Sequence, residues 1–267
     1  MHAVPVSARI SFVYVEKGVL EQDGHSLVLC QGDRLTPIPI GRTSTLLIGP
    51  GTSVTHAAVR LCANEGTLLA WVGEHGVRLY GAGNPRGNPD ALLRQTGLRL
   101  DEAKRLSVAR ATFKLMFGED PPPRLSIEQL RGLEGSRVKK WYEDQAAATG
   151  VTWAGKDAGL HHPINRALAG CNAALYGLTE AVIVALGYSP SIGFVHSGDD
   201  RSFVFDVADT VKFHTVAPLA FELVTKHGVN LSESLVRKSC RDVFFQTQLS
   251  KKLIENITEL MHGNAGH

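Results

Sequence analysis

A stretch rich in glycine, proline and asparagine, residues 81–89, separates two halves of the chain that differ in their apolar pattern. Before this stretch, short runs of β-branched and aromatic residues alternate with turn residues. After it, apolar residues recur at helical spacing almost to the end of the chain. Because 267 residues leave room for two modest domains, the pattern predicts an α+β protein. We place a small N-terminal β domain at residues 1–83, a linker at 84–90 and an all-α C-terminal domain at 91–267.

The individual elements follow from the same patterns. Strands are expected at residues 10–15, 26–30, 45–48, 67–72 and 77–80, with a shorter edge piece at 38–40. One helix interrupts them at residues 55–65, and Ser53 is expected to cap it. Longer helices are expected at about 90–118, 126–148, 163–187, 206–226 and 232–262.

A glutamate lies in the middle of an apolar stripe on one of these helices. The stripe consists of Ile127, Leu130, Val138 and Trp141. Glu134 falls on the same face, and a carboxylate that faces a core is costly unless it is paired or binds a metal ion. One interpretation is an ion pair, either with Arg131 or with a cation from another element. The other interpretation is a metal ligand.

A second acidic helix favours the metal interpretation. Asp206 and Asp209 are three residues apart and therefore share a helical face with Phe213 and Val216. Asp206 has a structural alternative as the N-cap of its helix. Asp209 lies one turn further inside, where capping cannot explain it.

A histidine is expected close to these carboxylates. Two short apolar runs flank a polar turn around Gly198, which predicts a β-hairpin at residues 192–205. His196 would end the first strand, beside the start of the acidic helix. A histidine at a strand end is often structural, but Glu, His and Asp together form a ligand set for Mg²⁺ or Mn²⁺. Such ions drive phosphoryl transfer.

The charge balance requires any nucleic-acid surface to be local. The chain has 28 basic and 26 acidic residues, so its net charge is only +2. Basic residues cluster near Glu134, and further DNA contacts are expected on both domains. The candidates are Arg131, Arg137, Lys139, Arg60, Arg78, Lys212 and Arg241. Tyr176, on the helix at 163–187, is either a core aromatic residue or a group that positions a DNA end.

Other features limit the compartment and the chemistry. The four cysteines form no CxxC pair and are expected to be buried, reduced thiols of a cytosolic protein. No signal peptide is expected, and no apolar run is judged long enough to cross a membrane. Neither a Walker A sequence nor a G-x-S-x-G sequence occurs, so neither nucleotide binding nor a serine nucleophile is indicated.

The chain resembles the CRISPR-associated spacer integrase family, in its type I-E branch. The resemblance rests on the segments at residues 131–137, 193–198 and 202–209. Further similar segments lie at residues 50–60, 66–74, 176–181 and 240–244, so the resemblance covers nearly the whole chain.

The resemblance implies a function and a set of site residues. Glu134, His196 and Asp209 would bind a divalent ion, with Asp206 as a further acidic group near the site. The 3′-hydroxyl of a short foreign DNA would attack a phosphodiester of the repeat array by transesterification. The resemblance also implies a homodimer, a small ferredoxin-like partner protein and a bacterial cytoplasmic location.

Some residues depart from the family pattern. The turn after His196 contains Asp199 and Asp200 where relatives often carry a basic residue, and Ser53 stands where a relative can carry arginine. The segment at 156–162 is shorter and less aromatic than expected. Two alternatives stay open: a metal-dependent nuclease on branched DNA without an integration role, and a non-catalytic DNA-binding scaffold.

Overall fold

The computed structural model describes residues 10–73, 79–83, 89–153, 155, 159 and 161–263. Strands fill the N-terminal part and helices fill the rest, as the α+β prediction requires. The domain boundaries themselves stay a prediction. Residues 84–88 of the predicted linker lie outside the described residues, and the first long helix already begins at Pro89.

Eight strands form two four-stranded sheets in the described N-terminal part. They are β1 (Ile10–Val15), β2 (Gly18–Asp23), β3 (Ser26–Gln31), β4 (Arg34–Ile38), β5 (Thr43–Ile48), β6 (Thr52–Val54), β7 (Leu68–Val72) and β8 (Leu79–Gly83). The first sheet has the order β1-β5-β7-β8, with the first three strands parallel and β8 antiparallel to β7. The second sheet has the order β4-β3-β2-β6. The sequence patterns missed β2 and β6, which are short and partly polar.

Both faces of the first sheet are covered. One face packs with the second sheet and with helix α1 (His56–Glu65) around Leu20, Leu46, Ile48 and Cys62. The other face, which carries Leu47, lies toward the helical part. This arrangement explains why β5 is buried at every position instead of alternating. The α1 cap is Thr55, whose hydroxyl accepts from the backbone N–H of Ala58, so the expectation for Ser53 was wrong.

The helical part contains eight further helices in the described ranges. They are α2 (Pro89–Leu100), α3 (Glu102–Phe117), α4 (Ile127–Thr149), α5 (Pro163–Ala185), α6 (Ser202–Lys212), α7 (Val216–His227), α8 (Glu233–Gln246) and α9 (Leu249–His262). Three predicted helices are each divided in two. Asp101 caps α3 through the N–H of Lys104, and Pro218 fits only in the first turn of a new helix. Gln248 adopts a left-handed conformation that separates α8 from α9.

Helix α5 is the central element of the helical core. By length and composition it is apolar enough to cross a membrane, so the expectation that no run is long enough was wrong. Its apolar residues instead pack among α6, α7, α8 and α9, and Ile164, Cys171, Leu175 and Ile183 are fully buried. This burial identifies α5 as the core helix of the fold. Three of the four cysteines are buried thiols, whereas Cys30 is partly exposed.

An aromatic cluster fixes α4 against the helices that carry the acidic residues. Trp141 and Tyr142 of α4 contact Phe213, which follows α6, and Phe221 of α7, with ring centroids 5.1–6.3 Å apart. At its N-terminus, α4 has a capping box of Ser126 and Gln129. The cluster and the cap together set the position of Glu134 in the middle of α4.

Candidate active site

Four side chains that the sequence singled out line one small pocket. Glu134 comes from α4, His196 from the chain between α5 and α6, and Asp206 and Asp209 from α6. The remaining lining residues are Ala109, Thr112, Phe113, Met116, Leu130 and Val195. The cavity measures about 20 Å³, which is room for one particle of the size of a water molecule or a small ion.

The segment that carries His196 is not a β-hairpin. Residues 189–201, which we name the histidine segment, contain neither helix nor strand. Helix α6 begins at Ser202, with Arg201 at the N-cap position, and so Asp206 lies more than a turn inside the helix. The hairpin prediction and the N-cap interpretation of Asp206 were therefore both wrong. The polar turn was real, but no ladder of backbone hydrogen bonds forms across it.

Asp206 replaces that ladder with its side chain. The carboxylate is 1% exposed and accepts four hydrogen bonds. Its Oδ2 accepts from the backbone N–H groups of Phe194 and Val195, at 2.5 and 3.1 Å. Its Oδ1 accepts from the N–H and the Nδ1 of His196, at 2.9 and 2.8 Å. These four donors satisfy the carboxylate, which makes its burial tolerable.

The same contacts fix the orientation of His196. Because a carboxylate only accepts hydrogen bonds, Nδ1 of His196 carries the hydrogen, and in the neutral imidazole Nε2 keeps its lone pair. The hydrogen bond to Asp206 raises the pKa of His196 above its usual range, against the opposing effect of burial. A carboxylate–histidine pair of this kind is the arrangement that orients metal-binding imidazoles.

Glu134 faces the pocket, and no basic side chain in the described ranges forms an ion pair with it. Burial raises its pKa, and the neighbouring charge of Asp209 raises it further, while His196 and Lys212 oppose the shift. Arg131 is exposed on the outer side of α4, and in the described part of the chain it forms no ion pair with Glu134. The described contacts therefore do not support the ion-pair interpretation of Glu134.

Asp209 is paired within its own helix. Its Oδ1 lies 3.4 Å from Nζ of Lys212, and both side chains are nearly buried. Burial alone would lower the pKa of Lys212, but the charge of Asp209 and the neighbouring Tyr176 and Tyr142 raise it above its ordinary value. Lys212 was predicted to contact DNA, but in the structure it serves as the internal counter-ion of Asp209.

The donor set fits a hard divalent cation, although the ligands are not yet gathered around one point. In the described ranges, no three His, Cys, Asp or Glu side chains form a group that could already hold an ion. Carboxylates and an imidazole are nevertheless the donors that suit Mg²⁺ or Mn²⁺. Burial raises the pKa of Glu134 and the charge of Asp209 adds to the shift, and a cation bound beside both carboxylates would oppose it.

The other predicted contacts fall into two groups. Arg60, Arg131 and Lys139 are exposed, whereas Arg137 is partly buried against Phe113 and Phe117 and pairs with Glu119. Arg241 pairs with its neighbour Asp242.

The ring of Tyr176 contacts the ring of Phe205 edge-on, and the ring of Phe205 in turn contacts the imidazole of His196. Arg78 and part of the segment at 156–162 lie outside the described residues.

Two residues that support the histidine segment were missed. Gln95 of α2 is fully buried and hydrogen-bonds to Ser189 and Ile192, and Arg105 of α3 donates from Nε to the carbonyl of Phe194 at 3.0 Å. A usable signal existed for Gln95. It lies four residues after Ala91, at core spacing on α2, which is the same kind of signal that singled out Glu134.

The fold and the pocket define a two-part α+β protein whose helical part presents carboxylates and a histidine to one small cavity. Comparison with known proteins agrees over most of the length. The sequence pattern of the family described as CRISPR associated protein Cas1 matches residues 12–116 and 122–259. The chain belongs to this Cas1 family, which confirms the resemblance found in the sequence.

The similar proteins cover the chain almost completely. The CRISPR-associated endonuclease Cas1 of Escherichia coli K12 is 44% identical over 268 residues, which is 98% of this chain and 88% of the relative. This similarity is consistent with the type I-E branch. The crystal structure of TtCas1 is similar to this structure with a TM-score of 0.86. The two sequences are 38% identical, and the match covers 96% of this chain and 99% of that one. A crystal structure of a TtCas1–DNA complex is similar with a TM-score of 0.85 and 35% sequence identity, and the match covers 96% of this chain and 97% of that one.

Replacing Glu134 by glutamine should stabilise the metal-free protein at high pH. Because its folded pKa is raised, the folded state binds the proton more tightly than the unfolded state, so stability falls as pH rises through that pKa. Glu134→Gln removes this loss. Denaturant titration without metal should show a gain of roughly 0.5–2 kcal/mol at about pH 8 that disappears toward about pH 4.

Glu128 provides the matched control on the same helix. Its pKa is lowered, by a backbone hydrogen bond and by the hydroxyl of Ser126, so its charge favours the folded state. Glu128→Gln should therefore lose stability above the carboxyl range, the opposite sign to Glu134→Gln. Equal pH profiles for the wild type and Glu134→Gln would contradict the environment described for Glu134.

Replacing Asp206 by asparagine should loosen the histidine segment. An asparagine side chain has only one oxygen, so its NH₂ group would face two N–H donors in place of the other oxygen. Urea unfolding should show a loss of roughly 2–4 kcal/mol. Asp200→Asn is the control, since Asp200 is an exposed carboxylate of the same segment, and it should cost little. An equal loss for Asp200→Asn would refute this role of Asp206.

Proposed function

We propose that this protein is a divalent-metal-dependent DNA integrase of CRISPR adaptation. It would join the 3′-hydroxyl ends of short foreign DNA to the repeat array by transesterification. The observation that carries the proposal is the pocket where Glu134, His196 and Asp209 come together, on a chain that belongs to the Cas1 family. The wider role would be spacer acquisition in antiviral defence.

The residues of the pocket divide the work between them. Glu134, His196 and Asp209 would hold one Mg²⁺ or Mn²⁺ ion, which when bound polarises a phosphodiester and stabilises the leaving oxygen. Asp206 holds His196 with Nε2 available and keeps the segment in place through three backbone N–H groups. Lys212 balances the charge of Asp209. None of these residues needs to form a covalent bond with DNA, because the attacking group is a DNA hydroxyl.

Tyr176 supports the site without acting as a nucleophile. Burial raises its pKa, so its hydroxyl stays protonated at neutral pH. Its ring lies 5.1 Å from that of Phe205, which lies 5.8 Å from that of His196. The two aromatic rings therefore form one wall beside the imidazole. We assign Tyr176 a role in packing that wall and in positioning the end of the DNA.

Binding to single- and double-stranded DNA is part of the proposal. The solved complex of the similar TtCas1 with DNA supports it. On this chain, Arg131 and Lys139 are exposed on the helix that carries Glu134, and Arg60 is exposed on α1. These residues can contact phosphates in solution, whereas Arg137, Arg241 and Lys212 have acidic partners within the chain.

The assembly that we propose is a homodimer that joins a small ferredoxin-like partner protein in the bacterial cytoplasm. The second candidate function is DNA cleavage without integration, which is favoured by the name endonuclease given to the Escherichia coli relative. Both functions use the same pocket. A non-catalytic scaffold is less well supported, because Glu134, His196 and Asp209 are all present and all line the cavity or its wall.

The alanine variants of the three proposed ligands test the function. Purified protein is incubated with its partner, Mn²⁺, a supercoiled array plasmid and a short duplex. Glu134→Ala, His196→Ala and Asp209→Ala should each reduce strand transfer at least ~100-fold, because the ion acts on the transition state. DNA affinity should stay near the wild-type value. Glu128→Ala, an exposed carboxylate on the same helix, should leave strand transfer intact.

A duplex with blocked 3′ ends separates the two candidate functions. An integrase loses product formation when the 3′-hydroxyl is replaced by hydrogen, because no nucleophile remains. A nuclease continues to cut the plasmid with the same duplex present. Full activity of any one of the three alanine variants would contradict the ligand assignment.

The salt dependence of DNA binding tests the proposed surface. Arg131→Gln combined with Lys139→Gln should lower the slope of log affinity against log salt concentration by roughly two units, because two phosphate contacts release fewer counterions. Lys251→Gln combined with Lys252→Gln removes the same charge from two exposed positions of α9. If both double variants change the slope equally, the DNA does not follow α4.

A further inference from the structure

The histidine segment has no regular structure to hold its shape. Helices and strands fix a backbone through repeated internal hydrogen bonds, but residues 189–201 form neither element. A few backbone hydrogen bonds remain, such as the one from the N–H of Phe203 to the carbonyl of Pro190 at 2.7 Å. The other backbone polar groups need side-chain partners, so the position of His196 also depends on the side chains that surround the segment.

Gln95 is the partner at the N-terminal end of the segment. Its side chain is 0% exposed, and it lies on α2, about a hundred residues before the segment in the sequence. Its Nε2 donates to the carbonyls of Ser189 and Ile192, at 3.0 and 2.9 Å. Its Oε1 accepts from the backbone N–H of Ser189 at 2.8 Å. One amide thus satisfies three backbone groups of the segment.

The three hydrogen bonds require an amide. A carboxylate could accept from Ser189 but could not donate to the two carbonyls, and an apolar side chain could do neither. The asymmetry of the glutamine head group, with two donors on nitrogen and an acceptor on oxygen, matches the two carbonyls and one N–H that face it. Because Gln95 is fully buried, losing any of these hydrogen bonds would lower the free energy of unfolding.

Along the chain, the residues that hydrogen-bond to Gln95 come directly before the residues that hydrogen-bond to Asp206. We call these two contacts the anchors of the segment. Gln95 bonds to Ile192, and Asp206 bonds to the N–H groups of residues 194–196. Only Gly193 lies between the two anchors, and a Cβ atom there would lie 2.5 Å from the carbonyl oxygen of His196 and 2.8 Å from Ser202. No side chain fits at position 193 without displacing the backbone of His196 or Ser202, so the two anchors are joined by a residue that must be glycine.

We propose that Gln95 is a positioning residue for His196. By fixing Ser189 and Ile192, it holds the backbone of residues 194–196 where the carboxylate of Asp206 can bind it, and so holds Nε2 of His196 toward the cavity. The inference rests on the proposed function for its catalytic consequence. The structural part, which is the rigidity of the segment, is independent of that function.

Hydrogen–deuterium exchange of the metal-free, full-length protein tests the structural part. Gln95→Met keeps a similar side-chain volume and removes all three hydrogen bonds. Exchange in peptides that cover residues 189–197 should rise about tenfold or more, while peptides of α5 and α9 keep their protection. Asn165→Leu is the matched control: Asn165 is also a buried amide that donates to a backbone carbonyl, that of Gly155, but not in this segment. It should leave exchange at residues 189–197 unchanged.

Metal affinity and strand transfer test the consequence for His196. Mn²⁺ binding, followed by the electron paramagnetic resonance signal of the free ion, should weaken about tenfold in Gln95→Met, within the range observed when an outer partner of a metal ligand is lost. Strand transfer at limiting Mn²⁺ should fall by a similar factor and recover partly at high Mn²⁺. Asn165→Leu should bind Mn²⁺ as the wild type does.

Each outcome bears on one proposal. Wild-type exchange at residues 189–197 in a folded Gln95→Met protein, or equal losses in Asn165→Leu, would overturn the role of Gln95. If Gln95→Met does not fold, Gln95→Glu, which keeps the acceptor for Ser189, repeats the test. Failure of both to fold while Asn165→Leu folds would also overturn it, since Gln95 would then be a general structural residue. A wild-type protein that neither binds Mn²⁺ nor transfers strands would refute the proposed function but not the exchange result.

Discussion

The buried carboxylate of Asp206 joins the histidine segment to α6, and the rest of the pocket depends on that junction. It binds three successive backbone N–H groups and the imidazole of His196, so one side chain fixes both the path of the chain and the tautomer of the ring. Because Asp209 lies one helical turn further on α6, its position relative to His196 is fixed by the same contact. The aromatic cluster around Trp141 then brings Glu134 to the pocket from α4.

The charges of the pocket explain why its carboxylates are arranged in different ways. Asp206 is satisfied by N–H donors, and Asp209 is balanced by Lys212. Among the described residues Glu134 has neither kind of partner, and burial, together with the charge of Asp209, raises its pKa. A pocket with one uncompensated carboxylate is prepared for a cation, whereas a fully paired pocket would lose ion pairs on binding it.

Much of the fold and the site could be predicted from the sequence. The change from strand to helix patterns and the inward positions of Glu134 and Asp209 depend on periodicity within single elements. The hairpin at 192–205 was wrong, because Asp206 supplies from another element the hydrogen bonds that a ladder would have made. The spacing of Gln95 from Ala91 marks a core position, but its partners lie far away in the sequence and no local pattern points to them. The division of the helix at 206–226 was within reach, because Pro218 marks it.

The first sheet is buried on both faces, which bears on how this protein could be divided. On one face of the sheet, Leu47 and Phe12 lie toward α5 and α8. On the other face, Leu46 and Ile48 pack toward the second sheet. A fragment that begins at α2 would expose to water the side of α5 that now meets β5 and β8. We therefore expect the β-rich part to act as a folding partner of the helical part, so that neither part would fold well when it is expressed alone.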